Sequence, residues 1–334
     1  ELMSAPVSAN SGVIDKYIGD AVMAFWGQPF CDRQSQASLA CATAHTGRRK
    51  VLVFKGGYHG GVLAFAGGGS PVNVPHDWIV ARYNDLDDVH ARVASHRAEL
   101  AAILVEPMQG SGGCIPGEPE FLSGLRQLAD DCGAPLIFDE VMTSRLSIGG
   151  RQALLGIRPD LTTLGKYFGG GLSFGAFGGR AEVMQRYDPR GSGALQHAGT
   201  FNNNVLTMAA GLAGLHQVLT AERLDALNAR GEALRGRLNS WLAGQGVALQ
   251  FTGLGSLMQL QTLAGPIHSA DDLAASDDRA RALVFFDLLA HGVFMARRGF
   301  MALSLPFDDG ACDRFAQVLE QVVGARRAVL PARR

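Results

Sequence analysis

The sequence predicts an α/β protein in which a mainly parallel sheet forms a large domain and a smaller α/β domain follows. Short apolar strands alternate with stretches of helical periodicity between residues 51 and 164, which is typical of a parallel sheet with helical crossovers. After Gly246 the pattern changes to shorter strands interleaved with helices. The length of 334 residues also suits about two domains.

In the larger part of the chain, the predicted strands are short apolar runs and the predicted helices carry apolar residues at helical spacing. The strand VLVF ends at the glycine-rich GGYHGG, and the strands ILVEP and PLIFDE follow in turn. The predicted strands are 51–54, 79–83, 101–107, 134–140 and 161–164. The predicted helices are 35–44, 85–99, 119–132, 205–215 and 221–243.

The two ends of the chain are predicted separately. Apolar runs on either side of Gly19-Asp20 indicate a hairpin near the start. The C-terminal part alternates strands with helices and is therefore predicted to form the smaller domain. Its predicted strands are 247–251, 256–262, 292–296 and 300–305, and its predicted helices are 276–290 and 311–325.

The composition excludes several classes of protein. The formal net charge is -1, so no basic surface favours nucleic acid as a partner. There is no run of about 20 apolar residues that would predict a membrane span. Five scattered cysteines lack the spacing of a zinc site, and the first residues lack the apolar core of a signal peptide. We therefore expect free thiols, no metal site and a cytoplasmic location.

Three predicted strands end in residues that can carry chemistry. Asp139 and Glu140 end one strand, Glu106 ends another, and Lys166 follows a third. Because ligand sites in open α/β sheets lie at the carboxyl ends of the strands, we expect these side chains at one edge of the sheet. Taken alone, the acids could instead cap a helix or bind a metal.

A lysine together with a buried carboxylate is the set that catalysis by pyridoxal phosphate (PLP) requires. The lysine amine forms a Schiff base with the aldehyde of the cofactor. The carboxylate keeps the pyridine nitrogen protonated, so that the ring can take up electrons. Lys166 and Asp139 suit these two roles, and Tyr58 in GGYHGG is placed in the sequence to cover a face of the ring.

Five stretches, in order along the chain, carry a resemblance to a known family. They read TGRRKVLVFKGGYHG, ILVEPMQG, PLIFDEVMTSR, PDLTTLGKYFGGGLSFGAFGGR and HAGTFNNNVLTMAAGLAGL. From residue 45 to about residue 329 the chain resembles the class III aminotransferases, which are PLP enzymes of fold type I and include the glutamate-1-semialdehyde aminomutases. The motifs DEVMTSR, GTFNNN and RRGFMALSLP are most similar to those of the β-amino-acid aminotransferase branch.

The resemblance implies an activity and a domain organisation. An amino group would move between an amino acid, β-amino acids included, and a 2-oxo acid through a Schiff base on Lys166. An intramolecular aminomutase of the glutamate-1-semialdehyde type is the alternative. Residues 45–225 would form the PLP-binding large domain, and residues 226–334 the C-terminal small domain.

The resemblance also gives roles to individual residues of the large domain. Lys166 matches the Schiff-base lysine, which carries the proton between substrate and cofactor as well. Asp139 matches the carboxylate on the pyridine nitrogen. Tyr58 matches the aromatic residue stacked on the ring, and Val141 the apolar residue under it. Glu106 is expected to support the cofactor from behind these residues.

Two further residues are expected to act at the borders of the site. Thr200 matches the residue that reaches the cofactor phosphate of the neighbouring subunit, which implies a homodimer. Arg298, in RRGFMALSLP, is a candidate for binding the carboxylate of the substrate. A surface or dimer salt bridge is the alternative role for this arginine.

The first 44 residues depart from the family and are predicted to form a segment rather than a full domain. Within residues 12–44, GVIDKYIGDAVMAFWGQPFCD resembles a hairpin of class III nucleotide cyclases, with Asp20 as a metal ligand and Lys16 as the adenine-selecting residue. One carboxylate cannot hold two metal ions, so we predict no cyclase activity. The phosphate-binding loop of the aminotransferases, expected near Phe30–Arg33, does not appear there. A catalytically impaired relative of the same fold is therefore a further alternative.

Overall fold

A computed structural model describes residues 17–18, 21–22, 33–199 and 202–333 of the chain. It divides into two compact units. The first unit runs to Thr220, except that Met108–Pro116 belong to the second unit together with the chain from Ala221 onward. The predicted domain boundary after residue 225 falls inside a helix that begins at Ala221. None of the described helices combines the length and the apolar character that crossing a bilayer requires.

The elements follow the predicted order closely. The strands are β1 (Tyr17–Ile18), β2 (Ala21–Val22), β3 (Lys50–Phe54), β4 (Asp77–Ala81), β5 (Leu100–Val105), β6 (Met108–Gln109), β7 (Ile115–Pro116), β8 (Leu136–Asp139), β9 (Leu161–Gly165), β10 (Gly175–Gly179), β11 (Gln250–Leu254), β12 (Leu257–Gln261) and β13 (Phe300–Ala302). The helices are α1 (Arg33–Thr46), α2 (Leu86–Val93), α3 (Pro119–Cys132), α4 (Gly150–Leu155), α5 (Ala181–Met184), α6 (Val205–Ala213), α7 (Ala221–Ala243), α8 (Asp278–Ala290) and α9 (Asp309–Arg326). Strands β1 and β2 pair antiparallel, as the predicted hairpin requires.

A six-stranded sheet organises the first unit, with the strand order β10-β9-β8-β5-β3-β4. All neighbours are parallel except β10, which runs antiparallel to β9 at one edge. Strands β5 and β8 are buried along their whole length, which explains why they read as continuous apolar runs rather than alternating ones. This sheet confirms the predicted α/β class with a mainly parallel sheet.

Helix α1 covers part of one face of this sheet. Its side chains Leu39, Cys41 and Ala42 are fully buried and belong to the same apolar cluster as Val51 of β3 and Leu161 of β9. The helix therefore belongs to the core of the first unit. The helix was predicted over residues 35–44. In the structure it extends two residues further at each end, from Arg33 to Thr46.

The second unit has an antiparallel sheet of its own, in the order β11-β12-β13. Its core joins this sheet to helices α7, α8 and α9 through residues such as Leu238, Val284 and Leu319, all fully buried. The loop between β6 and β7 is held to the sheet because Thr252 and Gln261 both donate hydrogen bonds to the carbonyl of Gly113 (2.6 and 2.9 Å).

The strand predicted at residues 292–296 is wrong. These residues form a turn followed by irregular chain, and Phe294 is 79% exposed while Met295 is buried in the core. An apolar run shows that a segment contacts the core, but a strand also needs a neighbouring strand with which to pair. The apolar run at 300–305 forms a strand over only its first three residues, Phe300–Ala302.

Strand β10 was not predicted, because three of its five residues are glycine and the sequence GAFGG has low strand propensity. The structure explains one of these glycines. A Cβ atom on Gly179 would lie 2.0 Å from the carbonyl oxygen of Asp160, so only glycine allows the edge strand to approach this closely.

We expect Gly179→Ala to lower the free energy of unfolding by about 1 to 3 kcal/mol, since the added methyl group must displace backbone. Gly61→Ala is the matched control, because a Cβ there meets nothing within 4 Å. Urea unfolding of both variants measures the difference. Equal midpoints for the two variants would contradict the close approach of β10.

Candidate active site

The carboxyl ends of four neighbouring parallel strands meet at one edge of the large sheet. Lys166 follows β9, Asp139 ends β8, Glu106 follows β5, and the segment with Tyr58 and His59 follows β3. The strands are adjacent in the order β9-β8-β5-β3, so the fold brings these five residues to the edge where open α/β sheets bind ligands.

Asp139 is buried and accepts hydrogen bonds on both of its carboxylate oxygens. Oδ2 accepts from Nδ1 of His59 at 2.8 Å and from Oγ of Ser35 at 3.2 Å. Oδ1 accepts from the backbone N–H of Val141 at 3.1 Å. Burial alone would raise the pKa of Asp139, but the hydrogen bond and charge of His59, followed by the charge of Lys166, outweigh it and hold this pKa below its ordinary value.

His59 is the partner that keeps this carboxylate charged. Burial opposes the charge of the imidazole, but the hydrogen bond and charge of Asp139, helped by the charge of Glu106, raise the pKa of His59 above its ordinary value. His59 was not among the predicted site residues. Its position directly after Tyr58 in GGYHGG was the available signal, but a histidine in a loop is more often structural.

Lys166 has an unusual backbone conformation. Its φ of 54° is left-handed, which is rare for a residue other than glycine and marks strain that the surrounding fold must hold. Its side chain is exposed at the end of β9. The preceding Gly165 leaves room for its neighbours, because a Cβ there would lie 3.3 Å from Cγ1 of Val141 and 3.6 Å from Nε2 of Gln34.

Glu140, next to Asp139, has a different environment. Its carboxylate accepts hydrogen bonds from the backbone N–H groups of Arg151 and Gln152, both at 2.8 Å, in the first turn of α4. Burial raises the pKa of Glu140 even so. Of the two adjacent acids, Glu140 therefore caps a helix and Asp139 faces the other candidate residues.

Glu106 and Tyr58 lie next to this pair. The buried carboxylate of Glu106 accepts a hydrogen bond from the backbone N–H of Tyr58 at 3.0 Å, which fixes the start of the YHG turn. The side chain of Tyr58 remains 42% exposed. Glu106 thus contacts the backbone behind the site, and the ring of Tyr58 is exposed enough to cover a ligand.

Two predicted site residues remain. Thr200 lies outside the described residues. Arg298 belongs to the second unit, where its guanidinium lies over the ring of Phe300 at 5.0 Å and its carbonyl accepts a hydrogen bond from the side chain of Gln259 at 3.0 Å. Its side chain is therefore held by aromatic stacking.

The first turn of α1 also reaches the site, through Ser35 and Gln34. Both side chains are buried, and Oε1 of Gln34 has no hydrogen-bond partner within the part of the chain that the structure describes. Neither residue was predicted at the site, because residues up to 44 were assigned to a separate segment. The first turn of a helix presents unpaired N–H groups and a positive dipole end, which favour an anion such as a phosphate.

These residues fit PLP. Asp139 is a buried, ionised carboxylate that still has room for a donor on Oδ1, Lys166 offers an exposed amine, and Tyr58 offers an exposed ring. The first turn of α1 lies beside Asp139, where it can attract a phosphate. The predicted position of the family's phosphate loop, Phe30–Arg33, lies almost entirely outside the described residues.

Comparisons with known proteins agree with this geometry. The family described as "Aminotransferase class-III" matches residues 35–323. The β-phenylalanine transaminase of Variovorax paradoxus is 54% identical over 305 residues, which cover 90% of this chain and 70% of that protein. A glutamate-1-semialdehyde 2,1-aminomutase of Nitratidesulfovibrio vulgaris is 38% identical over 288 residues, covering 82% and 67%.

Among solved structures, the fold is similar to that of a β-phenylalanine aminotransferase from Variovorax paradoxus. The TM-score is 0.91 at 48% identity, and the match covers 99% of this chain and 80% of the other. The family match begins at Ser35, so residues 35–44 lie inside the aminotransferase region. The sequence instead predicts that they belong to a separate N-terminal segment. The family match agrees with the packing of α1 against the large sheet.

Proposed function

Because the chain belongs to the class III aminotransferase family, we propose that it moves the amino group of a β-amino acid of the β-phenylalanine type to a 2-oxo acid. The predicted class of enzyme and the predicted cofactor, PLP, are confirmed by this membership. The observation that carries the proposal is the buried pair of Asp139 and His59 beside the strained Lys166.

When bound, PLP supplies a ring that takes up the electrons released at the carbon bearing the amino group. Asp139 would hold the proton on the ring nitrogen, because its lowered pKa keeps the carboxylate charged. Tyr58 would cover one face of the ring, and Val141 would support the other. Glu106 would hold the backbone of Tyr58 in place.

Lys166 would have two tasks. Its amine would bond to the cofactor before the substrate arrives. Once the substrate has displaced it, the free amine would accept a proton from the reacting carbon of the substrate and deliver it to the cofactor. The exposed position of Lys166 at the end of β9 leaves its side chain able to move between these tasks.

Arg298 is the proposed contact for the substrate carboxylate. We expect Arg298→Gln to raise KM for the amino donor about tenfold or more, since a charge-assisted pair is lost, with a smaller change in kcat. Arg297→Gln is the matched control, because Arg297 lies over a different ring, that of Phe286. Steady-state kinetics measure both variants. Equal KM values in the two would contradict a substrate role for Arg298.

The reaction itself is tested by product analysis. The purified chain, PLP and β-phenylalanine are incubated with and without 2-oxoglutarate. The proposal predicts glutamate only when 2-oxoglutarate is present, together with the 3-oxo acid from the donor. The similarity to an aminomutase favours one alternative, which would consume glutamate-1-semialdehyde without any acceptor. A cooperatively folded protein with no turnover of any donor at saturating PLP would support the impaired alternative.

We also propose a homodimer, with Thr200 reaching the phosphate in the neighbouring subunit. Helix α6 and the π-helical segment after it (Gly214–Val218) support self-association, because they present large apolar side chains to solvent: Val205, Leu206, Leu215 and Val218. Val205 and Leu206 are 62% and 71% exposed. Several large apolar side chains exposed within one short stretch of chain favour an interaction surface there. Sedimentation as a monomer at micromolar concentration would contradict the dimer.

The remaining predictions concern the first residues of the chain and the cellular location of the protein. The resemblance to a nucleotide cyclase remains a prediction for residues 12–34, most of which, Lys16 and Asp20 included, lie outside the described residues. We propose no cyclase activity for it. Cytoplasm remains the proposed location, and the four described cysteines support a reducing compartment, because all are buried and none of the four forms a disulfide.

A further inference from the structure

Two side chains from different elements donate to the same oxygen of Asp139. His59 follows β3 and Ser35 lies in the first turn of α1, yet both hydrogen bonds end on Oδ2. Only the backbone N–H of Val141 donates to Oδ1 among the described residues. All three side chains of this arrangement, Ser35, His59 and Asp139, are at least 95% buried.

An ionised carboxylate has about four acceptor positions, two on each oxygen. The two donors on Oδ2 use both positions there, and Val141 uses one position on Oδ1. One acceptor position of Oδ1 is therefore left for a ligand. A ring nitrogen that carries a proton is a donor of the required kind.

We propose, on the premise of the function proposed above, that Ser35 and His59 are positioning residues that fix Oδ2 of Asp139 and so reserve Oδ1 for the ring nitrogen of PLP. Neither residue contacts the reacting atoms. Each acts through the carboxylate, by setting its rotation and by keeping it charged.

The two donors make different contributions. His59 supplies charge as well as a hydrogen bond, and the carboxylate of Glu106 supports that charge from the side of β5. Lys166 is the other cation that acts on Asp139. Ser35 is neutral and short, so its main contribution is geometric. It also makes the position of the carboxylate depend on where α1 begins.

Helix α1 contains a matched control for Ser35. Ser38 lies one turn later, is also fully buried, and donates its hydroxyl to the backbone carbonyl of Ser35 at 2.8 Å. Removing either hydroxyl deletes one buried hydrogen bond on the same helix. Only the loss of the Ser35 hydroxyl changes the donors of Asp139.

The test compares Ser35→Ala, Ser35→Thr and Ser38→Ala with the wild type in the full chain. Equilibrium dialysis measures the dissociation constant of PLP. The proposal predicts that Ser35→Ala weakens PLP binding about tenfold, as expected for a lost hydrogen bond to a charged group. Ser35→Thr, which keeps the hydroxyl, should remain within about twofold of the wild type, as should Ser38→Ala.

A second readout needs no cofactor. Because the folded pKa of Asp139 is lowered, its ionisation stabilises the fold above the pKa of the unfolded chain, and this stability is lost as the pH falls through the folded pKa. A hydroxyl that donates to the charged carboxylate favours the ionised form, so removing the Ser35 hydroxyl should bring the folded pKa closer to the unfolded one. Ser35→Ala should therefore lose less stability on acidification than Ser38→Ala, in urea unfolding measured between neutral pH and about pH 3.

The outcomes separate this inference from the proposed function. If the wild type does not bind PLP at all, the proposed function fails, and the inference fails with it. If the wild type binds PLP but Ser35→Ala and Ser38→Ala bind it equally well, only the positioning role is overturned. The positioning role is also overturned if Ser35→Ala and Ser38→Ala lose stability in parallel as the pH falls.

Discussion

Lys166→Ala is expected to lower kcat about a thousandfold or more, because the substitution removes both the amine proposed to bond to PLP and the group proposed to move the proton. The fold should survive, because the Lys166 side chain is exposed and its removal takes no side chain out of the core. Steady-state kinetics with β-phenylalanine and 2-oxoglutarate at saturating PLP measure the loss.

Lys50→Ala is the control for this prediction. Lys50 begins β3, at the end of the strand away from the site, and its amine lies 3.8 Å from the carboxylate of Glu99. Its removal should leave kcat almost unchanged. If Lys166→Ala retained more than about a tenth of the wild-type kcat, the proton-transfer role of Lys166 would be refuted.

Asp139→Asn is expected to lower kcat about a hundredfold to a thousandfold and to weaken the binding of PLP, because a neutral amide cannot hold a proton on the ring nitrogen. The change keeps the volume of the side chain. It also removes the hydrogen bond and charge that raise the pKa of His59, so that this pKa should fall. Kinetics, dialysis of PLP and the titration of His59 by NMR measure the three effects.

The adjacent carboxylate is the control for Asp139. Glu140 caps the first turn of α4, so Glu140→Gln should lower the free energy of unfolding by about 1 to 2 kcal/mol with little effect on kcat. Asp139 is thus expected to contribute to catalysis, and Glu140 to the stability of the fold. Equal losses of kcat in the two variants would contradict the assignment.

The position of the site could be predicted from the sequence because parallel strands deliver their carboxyl ends to one edge. Asp139, Glu106 and Lys166 could each be placed by the apolar run before it. Helix α3 could be placed to the residue, because Pro119 begins it and Gly133, which has a left-handed backbone, follows its last residue.

The partners of the site residues could not be predicted in the same way. The contact between His59 and Asp139 joins residues 80 positions apart, and the contact between Ser35 and Asp139 joins residues 104 apart. Neither has a local pattern. Strand β10 was missed for a related reason, since one of its three glycines, Gly179, is explained by a close approach to Asp160 and not by propensity.

Covalent attachment of PLP to Lys166 can be tested by direct mapping of the modified lysine. The purified chain is saturated with PLP, reduced with borohydride, digested and mapped by mass spectrometry. The sequence contains lysine only at positions 16, 50, 55 and 166, so each site is easily distinguished. We predict that the reduced cofactor is found on the peptide that contains Lys166. Its absence from that peptide, or an equal yield on Lys50 or Lys55, would contradict the proposed role of Lys166.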